Sequence, residues 1–173
     1  MRIRQRLCNN PAPSPNTVEN QCKGSDKQSK DCDVECEHQG KFYTNTHMCY
    51  NFFEEAMTWE NASKFCQKNG GELASVQSRE INSFLRDLAS TYVWIGGLRK
   101  NASSWSWTDN SDWHYENKNS PKMNEGVQDV VLALNGSSAD GEWSDEYVSE
   151  KVKNPFICQF PMKGWCFFSE YFI

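Results

Sequence analysis

The sequence predicts an α+β domain of two helices and short aromatic strands, behind a short N-terminal fragment that depends on disulfides. Three observations lead there. Two stretches carry apolar residues at helical spacing, flanked by short runs of aromatic and β-branched residues. Eight cysteines, an even number at wide and irregular spacing, read as a disulfide framework. The composition also changes near Cys36, from Pro, Asn, Ser and Lys to aromatic and aliphatic residues.

Residues 1–33 carry few large apolar side chains and cannot build a core alone, so Cys8, Cys22 and Cys32 would have to hold them. Phe42-Tyr43 and Cys49-Tyr50-Asn51-Phe52-Phe53 read as strands. Thr58 is a helix N-cap with Glu60 in the first turn, Trp59, Ala62 and Cys66 share one face, and Gly70-Gly71 ends the helix. A second helix begins near Ser78, and its stripe of Ile81, Phe84, Leu85 and Leu88 is a core face without chemistry of its own. Residues 92–98 form a buried strand in which Gly96-Gly97 allows a bulge or tight bend. Trp105 and Trp107 fall on one face of a further strand. Residues 108–126 form a long irregular stretch of the kind that carries function or disorder. Residues 130–134 are another buried strand, Trp143 opens the next, and residues 155–160 close the sheet.

The length of 173 residues suits one ordinary domain plus a small piece, and seven tryptophans argue for a packed body. A net charge of −5 says nothing about partners. No basic stripe interleaves with aromatics, which disfavours nucleic acid. The N-terminal Arg2, Arg4, Arg6, Lys23, Lys27 and Lys30 read as a solvated face, with a heparin-like polyanion as the alternative. No run approaches the ~20 apolar residues of a membrane span, so no membrane insertion is expected. No apolar leader follows Met1, yet the cysteines argue for an oxidising compartment.

A metal site is the competing reading of Cys32, Cys36, His38, His47 and Cys49, but their spacing departs from the paired ligands zinc favours. His38, His47 and His114 are scattered and read as surface residues. Asn61, Asn101 and Asn135 each begin an N-glycosylation sequon, which points to the secretory pathway. Asn61 lies off the apolar face of its helix, so a glycan there reaches solvent. Catalysis is not expected: no Ser/His/Asp or Cys/His constellation has suitable context, Glu54-Glu55 reads as solvated surface, and Gly96-Gly97 is not at a strand-to-helix turn.

Two resemblances organise these residues. Trp59-x-x-Ala62-x-x-x-Cys66, then Leu73-Ala74-Ser75-Val76, then Trp94-Ile95-Gly96-Gly97-Leu98, then Trp143-Ser-Asp145, then Phe156-Ile157-Cys158 resemble a C-type lectin-like domain over residues 34–160. The resemblance implies two helices, two small antiparallel sheets and a long ligand-carrying loop. It implies the disulfides Cys66–Cys158 and, as in the long form of the domain, Cys36–Cys49. Arg2-x-Arg4-x-Arg6-x-Cys8, Cys22-x-Gly24 and Cys32 resemble the C-terminal half of a thrombospondin type 1 repeat over residues 1–33. The other half of such a repeat is missing, which suggests a truncated chain or an incomplete gene model, and either accounts for the absent signal peptide. Residues 161–173 form an aromatic tail without a counterpart, and Cys166 has no evident partner; it is unpaired, joins Cys8, Cys22 or Cys32, or belongs to a mistranslated tail.

The chain also departs from the lectin pattern. Val130 and Val148 stand where the family has a second bridge, which implies an apolar contact there and a less constrained loop. Alignment puts Ser120, Lys122, Gln128, Ser144 and Asp145 at the five calcium-ligand positions of sugar-binding members. Calcium takes six to eight oxygens, several from carboxylates, whereas only Asp145 keeps one and Lys122 places an ammonium there. Asp129 and Glu125 nearby read as solvated loop residues. Calcium and other cofactors are therefore not expected. The resemblance implies an extracellular recognition or adhesion module for a protein or glycan, with Asp112, Trp113, Tyr115, Lys122 and Asp145 as candidate contacts, although Trp113 reads equally well as core. The alternatives are a calcium-dependent carbohydrate-binding lectin and a structural matrix spacer.

Overall fold

The computed structural model describes residues 2–5, 27–30, 36, 39–99, 104–117 and 129–162. The chain divides into two compact units, one comprising Met1–Val34 with Gly164–Ile173 and the other Glu35–Lys163. In the first, β1 (Arg2–Gln5) and β2 (Lys27–Lys30) pair antiparallel, with Arg2 opposite Lys30. Cys8, Cys22, Cys32 and Cys166 lie outside the described residues.

The second unit runs β3 (Lys41–Tyr43), β4 (Met48–Met57), α1 (Trp59–Lys68), β5 (Glu72–Leu73), α2 (Arg79–Leu88), β6 (Tyr92–Arg99), β7 (Ser106–Trp107), β8 (Val130–Asn135), β9 (Trp143–Tyr147) and β10 (Asn154–Pro161). The strand order is β3-β4-β10-β6-β8-β9, with β5 on β10 and β7 on β6. Two antiparallel ladders, β3-β4-β10 and β6-β8-β9, meet at one parallel pair, Phe156 opposite Trp94. The two small sheets of the sequence reading are thus joined into one mixed sheet.

Both helices start where their caps place them. The Thr58 hydroxyl accepts from the Asn61 backbone N–H, and the Ser78 hydroxyl from that of Ile81. Glu60 and Glu80 lie in the first turns, where carboxylates favour the positive end of the helix dipole. Helix α1 buries Trp59, Ala62, Ser63 and Cys66 against one sheet face; α2 buries Ile81, Asn82 and Leu85 against the other.

Because both faces are covered, β8 reads as a continuous apolar run. Val131 and Ala133 join the cluster of Trp59, Cys66, Trp94 and Phe156, while Leu132 and Leu134 join that of Ile81, Leu85, Val93 and Trp107. The buried indoles of Trp59 and Trp94 keep their donors satisfied. Trp59 Nε1 donates to Ile95 O at 2.9 Å, and Trp94 Nε1 donates to Met57 O at 2.8 Å. Val130 is 1% exposed, and Val148 packs against the cluster that holds Trp94 and Val131.

The glycine pair does what its position in a strand suggests. The β6–β8 register shifts between Ile95 and Leu98, and a Cβ on Gly97 would run into Leu132 Cδ1. The strand expected at Trp105–Trp107 is shorter, since only Ser106 and Trp107 pair with β6. Disulfides join Cys36 to Cys49 and Cys66 to Cys158, each with Cα atoms 5.6 Å apart. The second ties α1 to β10 across a separation of 92 residues.

Candidate functional site

Immediately after β7 the chain turns, with Asn110 at φ 60°, into an extended segment. Asp109 anchors its start. Oδ1 accepts from the Ser111 backbone N–H at 3.0 Å and hydroxyl at 2.6 Å; Oδ2 accepts from the Ser75 hydroxyl at 2.7 Å and Gln159 Nε2 at 2.6 Å. Gln159 Oε1 accepts from the Ser75 backbone N–H at 2.8 Å, so β10, the β5–α2 connection and the loop root share one network. Burial alone pushes the Asp109 carboxyl up. The donors from Ser111, Ser75 and Gln159 outweigh it and hold the group below the usual carboxylate range. With both oxygens taken up in this way, Asp109 serves as a clamp.

Residues 111–117 then alternate between half-buried and exposed, with period 2. The inward side docks on an aromatic stack. The Trp113 ring stacks 5.7 Å from Trp105 and 4.6 Å from Trp107, and Trp143 meets Trp107 and Tyr115 edge-on at 5.6 Å and 5.7 Å. Arg99 lies over the Trp105 ring at 5.4 Å. Burial pushes the Tyr115 phenol up. The far end of the segment is tied to the turn before β9. Asn117 Nδ2 donates to Asp140 O at 2.8 Å and Gly141 O at 3.0 Å, and the Trp143 backbone N–H donates to Asn117 O at 2.7 Å.

Beneath that turn sits Asn82, 1% exposed. Its Nδ2 donates to Asp140 O at 2.9 Å and Gly141 O at 3.1 Å, and its Oδ1 accepts from Trp143 Nε1 at 2.7 Å. Arg86 of α2 also donates to Ala139 O. The result is a ledge fixed at both ends, with Asp112, His114 and Glu116 on its outer side. The side chains of Asp112 and His114 are 84% and 70% exposed and approach each other at 3.5 Å. Glu116 accepts from Trp113 Nε1 at 2.6 Å.

The structure separates the residues that the sequence grouped. Asp112 faces solvent, whereas Trp113 and Tyr115 pack inward with Trp143. Ser144 and Asp145 sit on β9 opposite Ala133 and Leu132, and Asp145 Oδ1 is out of contact with solvent. Ser120, Lys122, Gln128 and Asn101 lie outside the described residues; Asn61 is exposed on α1. His114 was read only as a surface residue, which its exposure bears out, and Glu116, Asp109 and Asn82 escaped the sequence reading. The polar–aromatic alternation of Asp112-Trp113-His114-Tyr115-Glu116 was the available signal for His114 and Glu116.

The clamp gives a direct prediction. Asp109 is more acidic folded than its unfolded value of ~3.9. Its contribution to stability is therefore complete above that value and is lost as pH falls through the lower folded value. An acid titration of tryptophan fluorescence should show this step, and Asp109→Asn should lack it. Asp109→Ala should speed amide exchange across 109–117 by about tenfold or more while sparing α2.

The family model described as Lectin C-type domain matches residues 55–160. The alpha chain of the snaclec bitiscetin of Bitis arietans is 38% identical over 122 residues, covering 64% of this chain and 86% of that protein. One chain of a snaclec coagulation factor IX/factor X-binding protein of Gloydius halys is 33% identical over 124 residues, covering 64% and 76%. Among solved structures, a calcium-independent type II antifreeze protein superposes with a TM-score of 0.66 at 28% identity, covering 75% of this chain and 97% of that one.

Proposed function

From the premise that this chain belongs to the C-type lectin domain family, we propose that it is an extracellular recognition or adhesion module, not an enzyme, binding a protein or glycan without calcium. The observation that carries this reading is the ledge. A chain clamped at both ends holds Asp112, His114 and Glu116 in line on its solvent side, so a ligand meets them with little ordering left to do. Two relatives support the reading. One is named for binding coagulation factors, so a protein ligand has precedent on this scaffold; the other is described as calcium-independent. The composition of the calcium-ligand positions, Ser120, Lys122, Gln128, Ser144 and Asp145, argues the same way, because one carboxylate stands against an ammonium. Lys122 follows the ledge in sequence and belongs with Asp112 among the proposed contacts. The N-terminal residues 1–33, which precede the lectin-like domain in sequence, are proposed as part of a thrombospondin type 1 repeat.

An immobilised glycan library and a panel of purified ectodomains, each screened with and without chelator, test the reading. Binding that survives chelation and drops about tenfold or more in Asp112→Ala/Glu116→Ala supports it. Binding seen only with calcium, or micromolar calcium affinity in calorimetry that Asp145→Ala abolishes, replaces it with a calcium-dependent lectin.

A further inference from the structure

We propose that Asn135 carries an N-linked glycan whose first N-acetylglucosamine lies on the ring of Tyr92. The two residues are cross-strand partners at the ends of β8 and β6. Tyr92 is 44% exposed, and only it and Tyr147 are exposed large hydrophobics among the described residues. Asn135 Nδ2, the atom that would bear the sugar, donates to Tyr92 Oη at 3.2 Å. A pyranose attached there is therefore within reach of the aromatic face.

The turn fixes this aim. Asn135 Oδ1 accepts from the Ser137 backbone N–H at 3.1 Å and hydroxyl at 2.7 Å, which turns Nδ2 the other way, toward Tyr92. The middle residue of the sequon is held as tightly. The Gly136 N–H donates to Thr91 O at 2.9 Å, and a Cβ there would stand 2.7 Å from Ala89 O, so a larger residue would displace the turn. The weakly positive C–H groups on one face of the sugar then meet the negative face of the phenol ring.

Attachment forms a bond from Nδ2 to C1 of the sugar and breaks the C1–O bond to a lipid-linked oligosaccharyl diphosphate, supplied in the secretory pathway. The diphosphate leaves with the electron pair, and Nδ2 loses one proton and keeps one. The inference rests on the extracellular reading only in that the chain must enter that pathway.

The test uses the full chain, secreted behind a leader from eukaryotic cells that keep high-mannose glycans. An Asn61→Gln/Asn101→Gln background leaves Asn135 as the remaining sequon. Mass spectrometry should find Asn135 occupied. The glycoprotein should melt about 2–4 °C above its Asn135→Gln counterpart. Trimming to a single N-acetylglucosamine should keep that difference, Tyr92→Ala should remove it, and Tyr92→Phe, which retains the ring, should preserve it. An unoccupied Asn135 in the secreted protein, or an undiminished shift in Tyr92→Ala, overturns the proposal. A glycan stacked on Tyr92 in a protein that binds nothing on the ligand panels would leave this inference standing and remove the functional reading.

Discussion

Replacing Cys66 and Cys158 together with alanine is expected to lower the unfolding free energy by about 4–5 kcal/mol. The chain-entropy estimate for their separation of 92 residues gives that figure. Both residues are 0% exposed and sit in the cluster of Trp59, Trp94 and Phe156, so lost packing adds to it. Domains of this kind have roughly 5–15 kcal/mol in all, and the variant should be close to unfolded at 37 °C. The matched replacement of Cys36 and Cys49, with a separation of 13, should cost about 3 kcal/mol. Urea denaturation of the three proteins provides the comparison. A loss smaller for the long-separation pair than for the short one would refute this account of how the domain is held closed.

The second large effect is expected at Asn82. Alanine there removes the two hydrogen bonds that Asn82 donates to the 140–141 turn and leaves the Trp143 indole N–H without its acceptor in a buried site. An orphaned buried donor costs about 1–3 kcal/mol; with the two lost amide bonds, the total should be near 3 kcal/mol. A double-mutant cycle with Trp143→Phe isolates the pair, and coupling above about 1 kcal/mol is expected. Strict additivity would mean that the indole finds another partner. Because the same turn receives Asn117, loss of Asn82 should also loosen the far end of the ledge, visible as faster exchange at residues 115–117.

Local signals were enough for much of the fold. Thr58 and Ser78 announced both helices because capping is a short-range event, and the Ile81, Leu85 stripe announced which face of α2 is buried. The bulge at Gly96-Gly97 was legible for the same reason: its cause lies within the strand that bends. The joining of the two ladders was not, because Phe156 and Trp94 are far apart in sequence and their pairing leaves no local mark. The ledge was half legible. Its residues stood in a stretch rightly marked as irregular, but which of them face out is decided by the indoles of Trp105 and Trp107, and by clamps from Ser75, Gln159 and Asn82. Asn82 escaped attention because an amide inside an amphipathic stripe reads as surface until its partners are seen.

The placement of β10 has a consequence for biosynthesis. Last of the described strands to be made, it lies between β4 and β6 and also carries β5. Until residue 161 has cleared the ribosome, β4 and β6 each lack this neighbour, and the apolar residues that pack on Phe156, Ile157 and Phe160 stay uncovered. The rest of the domain must therefore wait for β10 before it can lock, a slow order of events typical of distant pairings. During that interval it is a natural client for chaperones that shield hydrophobic surface and for enzymes that keep early thiols from joining the wrong partners.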